Sequence, residues 1–295
     1  MNKNVWEVHE AACERGDSHY QDPESGFRVF TRVGLEARGR CCGCGCRHCP
    51  YAHENVEDRP ARIQQPAFLH RRERAGRSAK TRSVLFWSGG KDSFLALRAW
   101  IRHQIQRSES SPDQVLDELA LLTTFSADSR IVAHQEVGIA DVARQGRALN
   151  LDLIGVPLQT GTPYLAAVQA GLDCLLAEDP NASISQLIFG DLHLAHIRSW
   201  RERELSSFGY ELRYPLWETP FPELLVDLER SGVPCVVTAC ADTPNNANAI
   251  QVGEPFDAKL AERVSALGWD AFGENGEFHT LAQVWDSPAQ RALGV

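Results

Sequence analysis

The sequence lacks the features that mark exported and membrane-spanning proteins. None of its apolar runs approaches the roughly 18–20 residues that a membrane helix requires. Its first 18 residues contain no hydrophobic core of the kind found in a secretory signal. Apolar residues make up 43% and charged residues 23% of the chain, which is typical of a globular protein. We therefore expect a cytoplasmic protein with no membrane partner.

Cysteine is scarce over most of the chain and concentrated at one end. Six of the nine cysteines lie within the first 49 residues. The other three, Cys174, Cys235 and Cys240, stand in apolar contexts and are predicted to be core residues. An odd number of cysteines in a chain without an export signal argues against a disulfide framework. The clustering predicts a metal site or a redox-active patch near the N-terminus.

Basic residues are too few for a broad nucleic-acid-binding surface. The net charge is −9, which combines a balance of +3 over residues 1–80 with −12 over the remainder. Proteins that bind nucleic acid usually present a basic face, so the acidic body makes nucleic acid an unexpected partner. One basic segment, RRERAGRSAKTR at residues 71–82, is interpreted as a solvated linker, with an RNA or phosphate contact as the alternative.

Alternating strand and helix patterns begin at residue 83. Short apolar runs typical of buried strands are separated by segments with apolar residues at helical spacing. Strands are predicted at 83–87, 118–125, 153–158 and 186–190, and helices at 94–106, 134–150, 162–178, 195–207 and 257–267, with 222–231 and 233–239 continuing the alternation. This order predicts the α/β class, a doubly wound parallel sheet with helices on both faces. Ligands of such sheets bind beyond the carboxyl ends of the strands.

A glycine turn joins the first predicted strand to the first predicted helix. Its residues are Ser88, Gly89, Gly90, Lys91, Asp92 and Ser93. Two glycines let the backbone approach an anion closely, and the start of a helix supplies unpaired N–H groups. Serine hydroxyls and the Lys91 charge complete a predicted phosphate site, although the spacing is not that of a Walker A loop. The alternative is a plain turn with Asp92 or Ser93 as the helix N-cap.

This segment resembles the PP-loop of the N-type ATP pyrophosphatases, which carry an SGGxDS signature. The resemblance implies that the six turn residues bind ATP and that AMP and pyrophosphate are released. It also implies a magnesium ion, because the charge on a leaving pyrophosphate must be neutralised.

Three further segments carry chemistry-bearing residues. They are GDLHL at 190–194, followed by HIRSWRE at 196–202; YPLW at 214–217; and GENGEFHT at 273–280. In the last of these, Glu274 and Glu277 could hold magnesium, orient ammonia or bind a substrate ammonium, and His279 could move a proton near neutral pH. The alternative is a surface hairpin whose side chains are merely solvated.

Taken with the glycine turn, these segments resemble the diphthine–ammonia ligase (diphthamide synthase) family of PP-loop enzymes. The matching motifs follow in order over residues 83–282, about two-thirds of the chain. The resemblance implies the adenine-nucleotide α-hydrolase fold and an ATP-dependent ligase that adenylates a carboxylate and amidates it with ammonia. The implied catalytic residues are Lys91, Asp92, Asp191, Glu274, Glu277 and His279. The stretch 240–257 departs from the family pattern, so a related carboxylate substrate is the alternative to diphthine.

The N-terminal cysteines form the second strong feature. Cys46 and Cys49 make a CxxC pair, whose tight turn lets two thiolates share one metal ion. The predicted ligands are Cys41, Cys42, Cys46 and Cys49, and the remaining candidates are Cys13, Cys44, His48 and His53. Zinc is the first expectation and an iron–sulfur cluster the second. Residues 9–51 also resemble a small family of bacterial cysteine-rich domains of unknown function.

These patterns divide the chain into a cysteine-rich module at 1–53, a linker at 54–82 and a PP-loop ATP-binding ligase domain at 83–295. Within the last, residues 83–206 are predicted to bind the nucleotide and 207–295 the substrate. Two alternatives stay open. One is a PP-loop enzyme of the tRNA-thiolating type, and the other is a non-enzymatic nucleotide sensor whose cysteine module responds to a metal or to oxidation.

Overall fold

Strands and helices alternate through most of the chain. The computed structural model describes residues 5–23, 26–51, 55, 65–74, 79–108, 110–133, 135–159, 161–177, 181–241 and 250–295. The strands are β1 (His19–Gln21), β2 (Arg28–Phe30), β3 (Ala67–His70), β4 (Thr81–Phe86), β5 (Leu119–Ser126), β6 (Ile131–Val132), β7 (Val137–Gly138), β8 (Asp152–Leu158), β9 (Ser183–Ile188), β10 (Glu211–Arg213), β11 (Cys235–Cys240) and β12 (Phe278–Ala282). The α-helices are α1 (Val5–Glu14), α2 (Arg32–Glu36), α3 (Lys91–Ser108), α4 (Pro112–Glu118), α5 (Ile139–Leu149), α6 (Tyr164–Leu176), α7 (Ala195–Glu204), α8 (Phe221–Ser231), α9 (Ala258–Ala266) and α10 (Ala289–Leu293).

A six-stranded sheet forms the centre of the body. Its strand order is β10-β9-β4-β5-β8-β3, and every neighbouring pair is parallel except β8 with β3. The four strands predicted from the sequence correspond to β4, β5, β8 and β9. The predicted α/β architecture with a mostly parallel sheet is therefore confirmed.

The sheet has a hydrophobic core on each face. Successive strand residues point to opposite faces, so Leu85 and Leu121 pack on one side while Val84 and Leu122 pack on the other. The first core includes buried residues of α3, α5 and the C-terminal helices, and the second includes those of α6. Helices therefore cover both faces, as expected for nearly continuous apolar strands.

The segment predicted to be a linker contains an edge strand. β3 pairs antiparallel with β8, and its short apolar run gives no period from which a strand could be predicted. The arginines that follow it are bound within the chain, because Arg74 and Arg82 both contact the Asp152 carboxylate and Arg72 contacts Asp117. These arginines of the basic segment thus have protein partners rather than a solvated face.

The C-terminal part of the body adds a separate pair of strands. β11 and β12 are antiparallel and form a two-stranded sheet outside the main one, whereas β10 extends the main sheet next to β9. The alternation predicted at 233–239 therefore does not continue into the parallel sheet, because a strand pattern does not identify the partner strand. Over the described residues, no helix is both long enough and apolar enough to cross a membrane.

The N-terminal module is built from α1, the β1–β2 hairpin, α2 and the cysteine loop that follows. Its small core consists of Ala12, Tyr20 and Val29. Thr31 caps α2, because its hydroxyl accepts a hydrogen bond from the N–H of Gly34. The loop that carries five of the six N-terminal cysteines comes directly after this helix.

Candidate functional site

The glycine turn lies at the carboxyl end of β4, where α3 begins. Gly89 has a φ of 82°, a left-handed conformation that favours glycine. The Ser88 hydroxyl accepts from the N–H of Gly90 at 3.3 Å, and the Ser93 hydroxyl donates to the Gly90 carbonyl at 3.0 Å. The turn therefore has the backbone geometry and the helix N-terminus that an anion site requires.

A buried glutamine fixes this turn to β12. The Gln145 side-chain amide donates to the carbonyls of Gly89 and Ala282 at 2.8 and 2.7 Å, while its oxygen accepts from the Trp87 indole at 2.8 Å. The Thr280 hydroxyl accepts from the N–H of Lys91 at 3.1 Å. The sequence reasoning missed Gln145, although a polar residue on the otherwise apolar face of α5 was the available signal.

Lys91 does not extend into solvent. Its side chain is 2% exposed, and its ammonium lies 2.8 Å from the Asp92 carboxylate. The rings of Phe256, Phe272 and Phe278 surround the ammonium at 5.3–5.4 Å from their centroids. Cation–π contacts and the carboxylate together stabilise the buried charge. The Lys91 charge is therefore buried behind the turn and paired with Asp92, and it is not a free charge at the protein surface.

Two carboxyl groups next to the turn have perturbed acidities. Burial and the neighbouring Asp92 charge raise the pKa of Glu274 to about 8. Burial also raises the pKa of Asp92, against the opposing charge of Lys91. The Oδ1 atom of Asp92 is buried and finds no hydrogen-bond partner among the described residues. The raised pKa of Glu274 lies close to neutral pH, so this carboxyl group can both give up and take up a proton there.

The turn after β9 brings the GDLHL motif to the same place. The Asp191 carboxylate accepts two hydrogen bonds from the Arg201 guanidinium, at 2.7 and 3.1 Å. The N–H of Leu192 donates to the Glu274 carboxyl at 3.2 Å, which joins GDLHL to GENGEFHT. Asp191 is thus held in place by α7, beside the residues that the other motifs supply.

Gly190 lies against the start of α3. A Cβ atom at this position would come within 2.9 Å of the backbone carbon and oxygen of Asp92 and within 3.0 Å of the Ser93 nitrogen. Real Cβ atoms do not approach backbone so closely, so a side chain here would push the helix start away from β9. The glycine of GDLHL is therefore required by packing.

Replacing Gly190 with alanine should weaken the affinity for a non-hydrolysable ATP analogue about tenfold, because overpacking of about 1–3 kcal/mol would displace the turn. Titration calorimetry measures the affinity. The control is Gly138→Ala, since Gly138 has a φ of −69° and its nearest neighbour to a new Cβ would be 3.9 Å away. Equal affinities in the two variants would contradict the packing argument.

Glu277 and His279 have different surroundings from Glu274. Both carboxylate oxygens of Glu277 accept backbone hydrogen bonds at 3.0 Å, from the N–H groups of Asp270 and Asn275. Glu277 therefore orders the loop before β12. His279 lies on β12 between Gln135, 3.4 Å from its Nδ1 atom, and the ring of Phe27.

The YPLW motif packs on α7. The Arg198 guanidinium lies 4.8 Å from the ring centroid of Tyr214 and 4.7 Å from that of Trp217. Since Arg201 and Asp191 belong to the same helix and its preceding turn, this aromatic pair supports the position of the GDLHL carboxylate. The motifs that the sequence singled out thus meet in one region, although Glu277 and Lys91 are engaged by the protein itself.

The four predicted metal ligands are arranged as two sulfur pairs. The Sγ atoms of Cys42 and Cys46 are 3.6 Å apart, and those of Cys41 and Cys49 are 3.8 Å apart. Hydrogen bonding from the Cys44 backbone lowers the pKa of Cys42 to about 7. Within the described ranges, no group of three or more His, Cys, Asp or Glu side chains is placed to hold a metal ion, and His53 lies outside those ranges.

Of the other candidate ligands, Cys44 lies next to the first pair, since its Sγ atom donates to the Cys42 carbonyl at 3.7 Å, whereas His48 and Cys13 contact other groups. His48 is buried, stacks on His9 with ring centroids 3.7 Å apart and shares a 2.8 Å hydrogen bond with the Tyr20 hydroxyl. Burial lowers the pKa of His48 to about 4. Cys13 contacts the same His9 ring at 3.4 Å. His48 and Cys13 therefore belong to the interior of the module.

A family profile matches the N-terminal part of the chain. The family is described as "Family of unknown function (DUF5522)", and the match covers residues 8–55. These residues include α1 from its fourth residue onward, the β1–β2 hairpin, α2 and all the cysteines of the loop. The match coincides with the segment 9–51 that resembles a family of cysteine-rich domains, and it assigns no activity to it.

Proposed function

We propose that the protein is an ATP-dependent adenylating ligase that activates a carboxylate as an acyl-adenylate and amidates it with ammonia, releasing AMP and pyrophosphate. One observation carries the proposal: motifs far apart in the sequence meet at the glycine turn. Thr280 accepts from the N–H of Lys91, Leu192 donates to Glu274, and Gly190 packs on Asp92. A plain structural turn would not require this convergence of hydroxyl, carboxyl and glycine residues.

The residues divide the chemistry between them. The N–H groups at the start of α3 and the hydroxyls of Ser88 and Ser93 bind phosphate oxygens. Asp191, held by Arg201, faces the second substrate. The ionised form of Glu274 accepts the proton that the ammonia nitrogen loses as the C–N bond forms and AMP leaves. A pKa of about 8 lets this carboxyl group lose and regain a proton near neutral pH. Gln145 keeps the turn in the conformation that binds.

Magnesium fits the acidic side of the site. Asp92 Oδ1 is a buried acceptor with no partner in the described part of the chain, which is the kind of atom that a cation satisfies. Magnesium usually takes one or two carboxylates and completes its shell with substrate phosphates and water. Asp92 would hold it, and the ion would neutralise charge on the leaving pyrophosphate.

The test is a screen for AMP formation by the purified full-length chain with ATP, magnesium and ammonium chloride. Free carboxylic acids, protein-bound carboxylates and tRNA are compared as acceptors. We expect AMP and pyrophosphate in equal amounts, with release that depends on both ammonia and a carboxylate. AMP formation that requires tRNA and a sulfur donor would favour a thiolating enzyme, and ATP binding without turnover on any acceptor would favour a sensor.

We also propose that the cysteine loop binds zinc. A Zn–S bond of about 2.3 Å places the sulfurs of a tetrahedral site about 3.8 Å apart, which both cysteine pairs match. Cys41, Cys42, Cys46 and Cys49 would hold the ion once the two pairs come together, since the described residues form no group of three or more such ligands as they stand. Its contribution would be structural, because four thiolates would fill its coordination shell.

Elemental analysis should find about one zinc per chain, lost in the double variant Cys46→Ser/Cys49→Ser. The control is Cys174→Ser, which removes a thiol from α6 in the body of the protein. Iron and acid-labile sulfide in place of zinc would support an iron–sulfur cluster. Metal-free protein after expression in metal-supplemented medium would contradict a metal site.

A further inference from the structure

The N-terminal module is packed against the residues that border the glycine turn. Phe27, in the turn of the module between β1 and β2, is 3% exposed and forms an antiparallel bridge with Ala241, directly after β11. Its ring meets the ring of His279 edge-on, with centroids 5.0 Å apart. The module therefore contacts the end of β11 through an isolated bridge and places the Phe27 ring against the His279 imidazole.

The Nδ1 edge of the His279 ring lies near a residue that borders the turn. Its Nδ1 atom is 3.4 Å from the side-chain nitrogen of Gln135. The Gln135 oxygen is 2.9 Å from the position that a Cβ of Gly90 would occupy. Phe27, His279 and Gln135 therefore lie one after another, and the row ends beside the second glycine of the turn.

A charged pair within the module acts on Glu136, the residue that follows Gln135. Arg47, between Cys46 and Cys49, donates to the Asp22 carboxylate at 2.8 Å, and Asp22 is 1% exposed. Burial raises the pKa of Glu136, and the charges of Arg47 and Asp22 both act on this carboxyl group. Glu136 has a φ of 49°, which an ordinary side chain adopts only when its surroundings impose it.

We propose that the cysteine-rich module is a wall of the catalytic site, and that Phe27 and Arg47 are positioning residues which hold His279 and Gln135 against the glycine turn. The proposal rests on the proposed function for the reaction that this wall serves. It gives the module a task on the second-substrate side, where His279 stands. It differs from a module that hangs free of the ligase and binds a separate partner, because Phe27 and Asp22 are already buried.

The first measurement needs no substrate. Diethylpyrocarbonate modifies accessible imidazoles, and peptide mass spectrometry of the full-length chain gives the rate at His279, with exposed His103 as the internal reference. Phe27→Ala should raise the His279 rate at least about fivefold, whereas Phe27→Leu, which keeps apolar volume, should restore most of the protection. The matched control is Phe30→Ala, since Phe30 lies three residues along on the same hairpin and is 38% exposed.

The second measurement concerns the reaction. With an acceptor found in the screen, Phe27→Ala should lower kcat for AMP formation about tenfold and leave the KM for ATP within about twofold, because the turn itself is intact. A purely structural role would change both parameters or neither. Arg47→Gln removes the charge that pairs with Asp22 and acts on Glu136, and it should shift His279 reactivity in the same direction, which keeps the test decisive if Phe27→Ala does not fold.

The outcomes separate the two proposals. Failure of the wild type to bind or turn over ATP would remove the proposed function, while the His279 rates would still report on the wall. Wild-type His279 rates in both folded Phe27→Ala and Arg47→Gln would overturn the wall. Faster His279 modification with unchanged kcat would overturn the positioning role, because the imidazole would then be exposed without consequence.

Discussion

Replacing Asp92 with asparagine should lower the rate of AMP formation by about 10²–10³-fold. The Lys91 ammonium is buried among three phenylalanine rings. Among the described residues, Asp92 is the one carboxylate that forms an ion pair with it. Asparagine keeps the size of the side chain and removes its charge, so the ammonium loses its counterion and one of the two carboxylate oxygens becomes an NH2 group, which donates and does not accept. Loss of one preorganised electrostatic group in an active site typically has an effect of this size.

Initial rates of AMP formation with saturating ATP and magnesium measure this effect. The control for the substitution itself is Asp173→Asn. Asp173 is an exposed aspartate of α6, and its carboxylate accepts a hydrogen bond from Gln169, one helical turn earlier. Circular dichroism and the unfolding midpoint show whether the Asp92→Asn variant is folded. A folded variant with a rate within about threefold of the wild type would show that Asp92 is dispensable. That result would contradict a role for Asp92 in the reaction of ATP at this turn.

The fold was largely predictable because the strands of a buried parallel sheet are continuous apolar runs. LLTTF in β5 and QLIFG at the end of β9 show no alternation of apolar and charged residues, which argues against a solvated antiparallel sheet and predicts helices on both sides. The edge strand β3 could not be predicted from such a pattern. Its four residues are only partly buried, and they form a strand because β8 offers a free edge. That edge is a property of the assembled sheet and not of the local sequence.

The candidate site was predictable as a set of motifs but not as a set of roles. Glu274 and Glu277 belong to one eight-residue motif, and the sequence gives no reason to separate them. The structure distinguishes them because Gly273 and Gly276 both adopt positive φ and turn the backbone N–H groups of this loop toward Glu277. Lys91 is a similar case, since Phe256, Phe272 and Phe278 lie more than 160 residues away in the chain. Which side chains surround a charge depends on tertiary packing.

Asp152 is a buried carboxylate that three arginines contact in the body of the fold. This aspartate at the start of β8 is 2% exposed and contacts the guanidinium groups of Arg74 and Arg82 and the N–H of Arg72. Burial alone would raise the pKa of Asp152, but the hydrogen bonds from these three arginines outweigh it and hold the pKa below its usual value. Because Arg82 lies in β4 and the other two follow β3, one carboxylate ties three strands together.

Replacing Asp152 with asparagine should lower the free energy of unfolding by about 3–5 kcal/mol, because the 3%-exposed Arg82 would lose the buried carboxylate that it contacts. Urea unfolding at pH 7 measures the change. The control is Asp113→Asn, which removes a partner of Arg72 that is 87% exposed and should cost less than about 1 kcal/mol. A loss for Asp152→Asn no larger than that of the control would show that Arg74 and Arg82 are satisfied by other groups.

The contribution of Asp152 to the free energy of unfolding should also depend on pH. Asp152 has a lower pKa in the folded than in the unfolded chain, so its contribution is present in full above the unfolded value of about 3.9. As the pH falls toward the folded pKa, the unfolded chain takes up a proton that the folded chain still refuses, and the contribution is lost. The stability difference between the wild type and Asp152→Asn should therefore be constant from pH 5 to 7 and shrink below about pH 4. A difference that stayed constant down to pH 2.5 would mean that the carboxylate charge is not the source of the stabilisation.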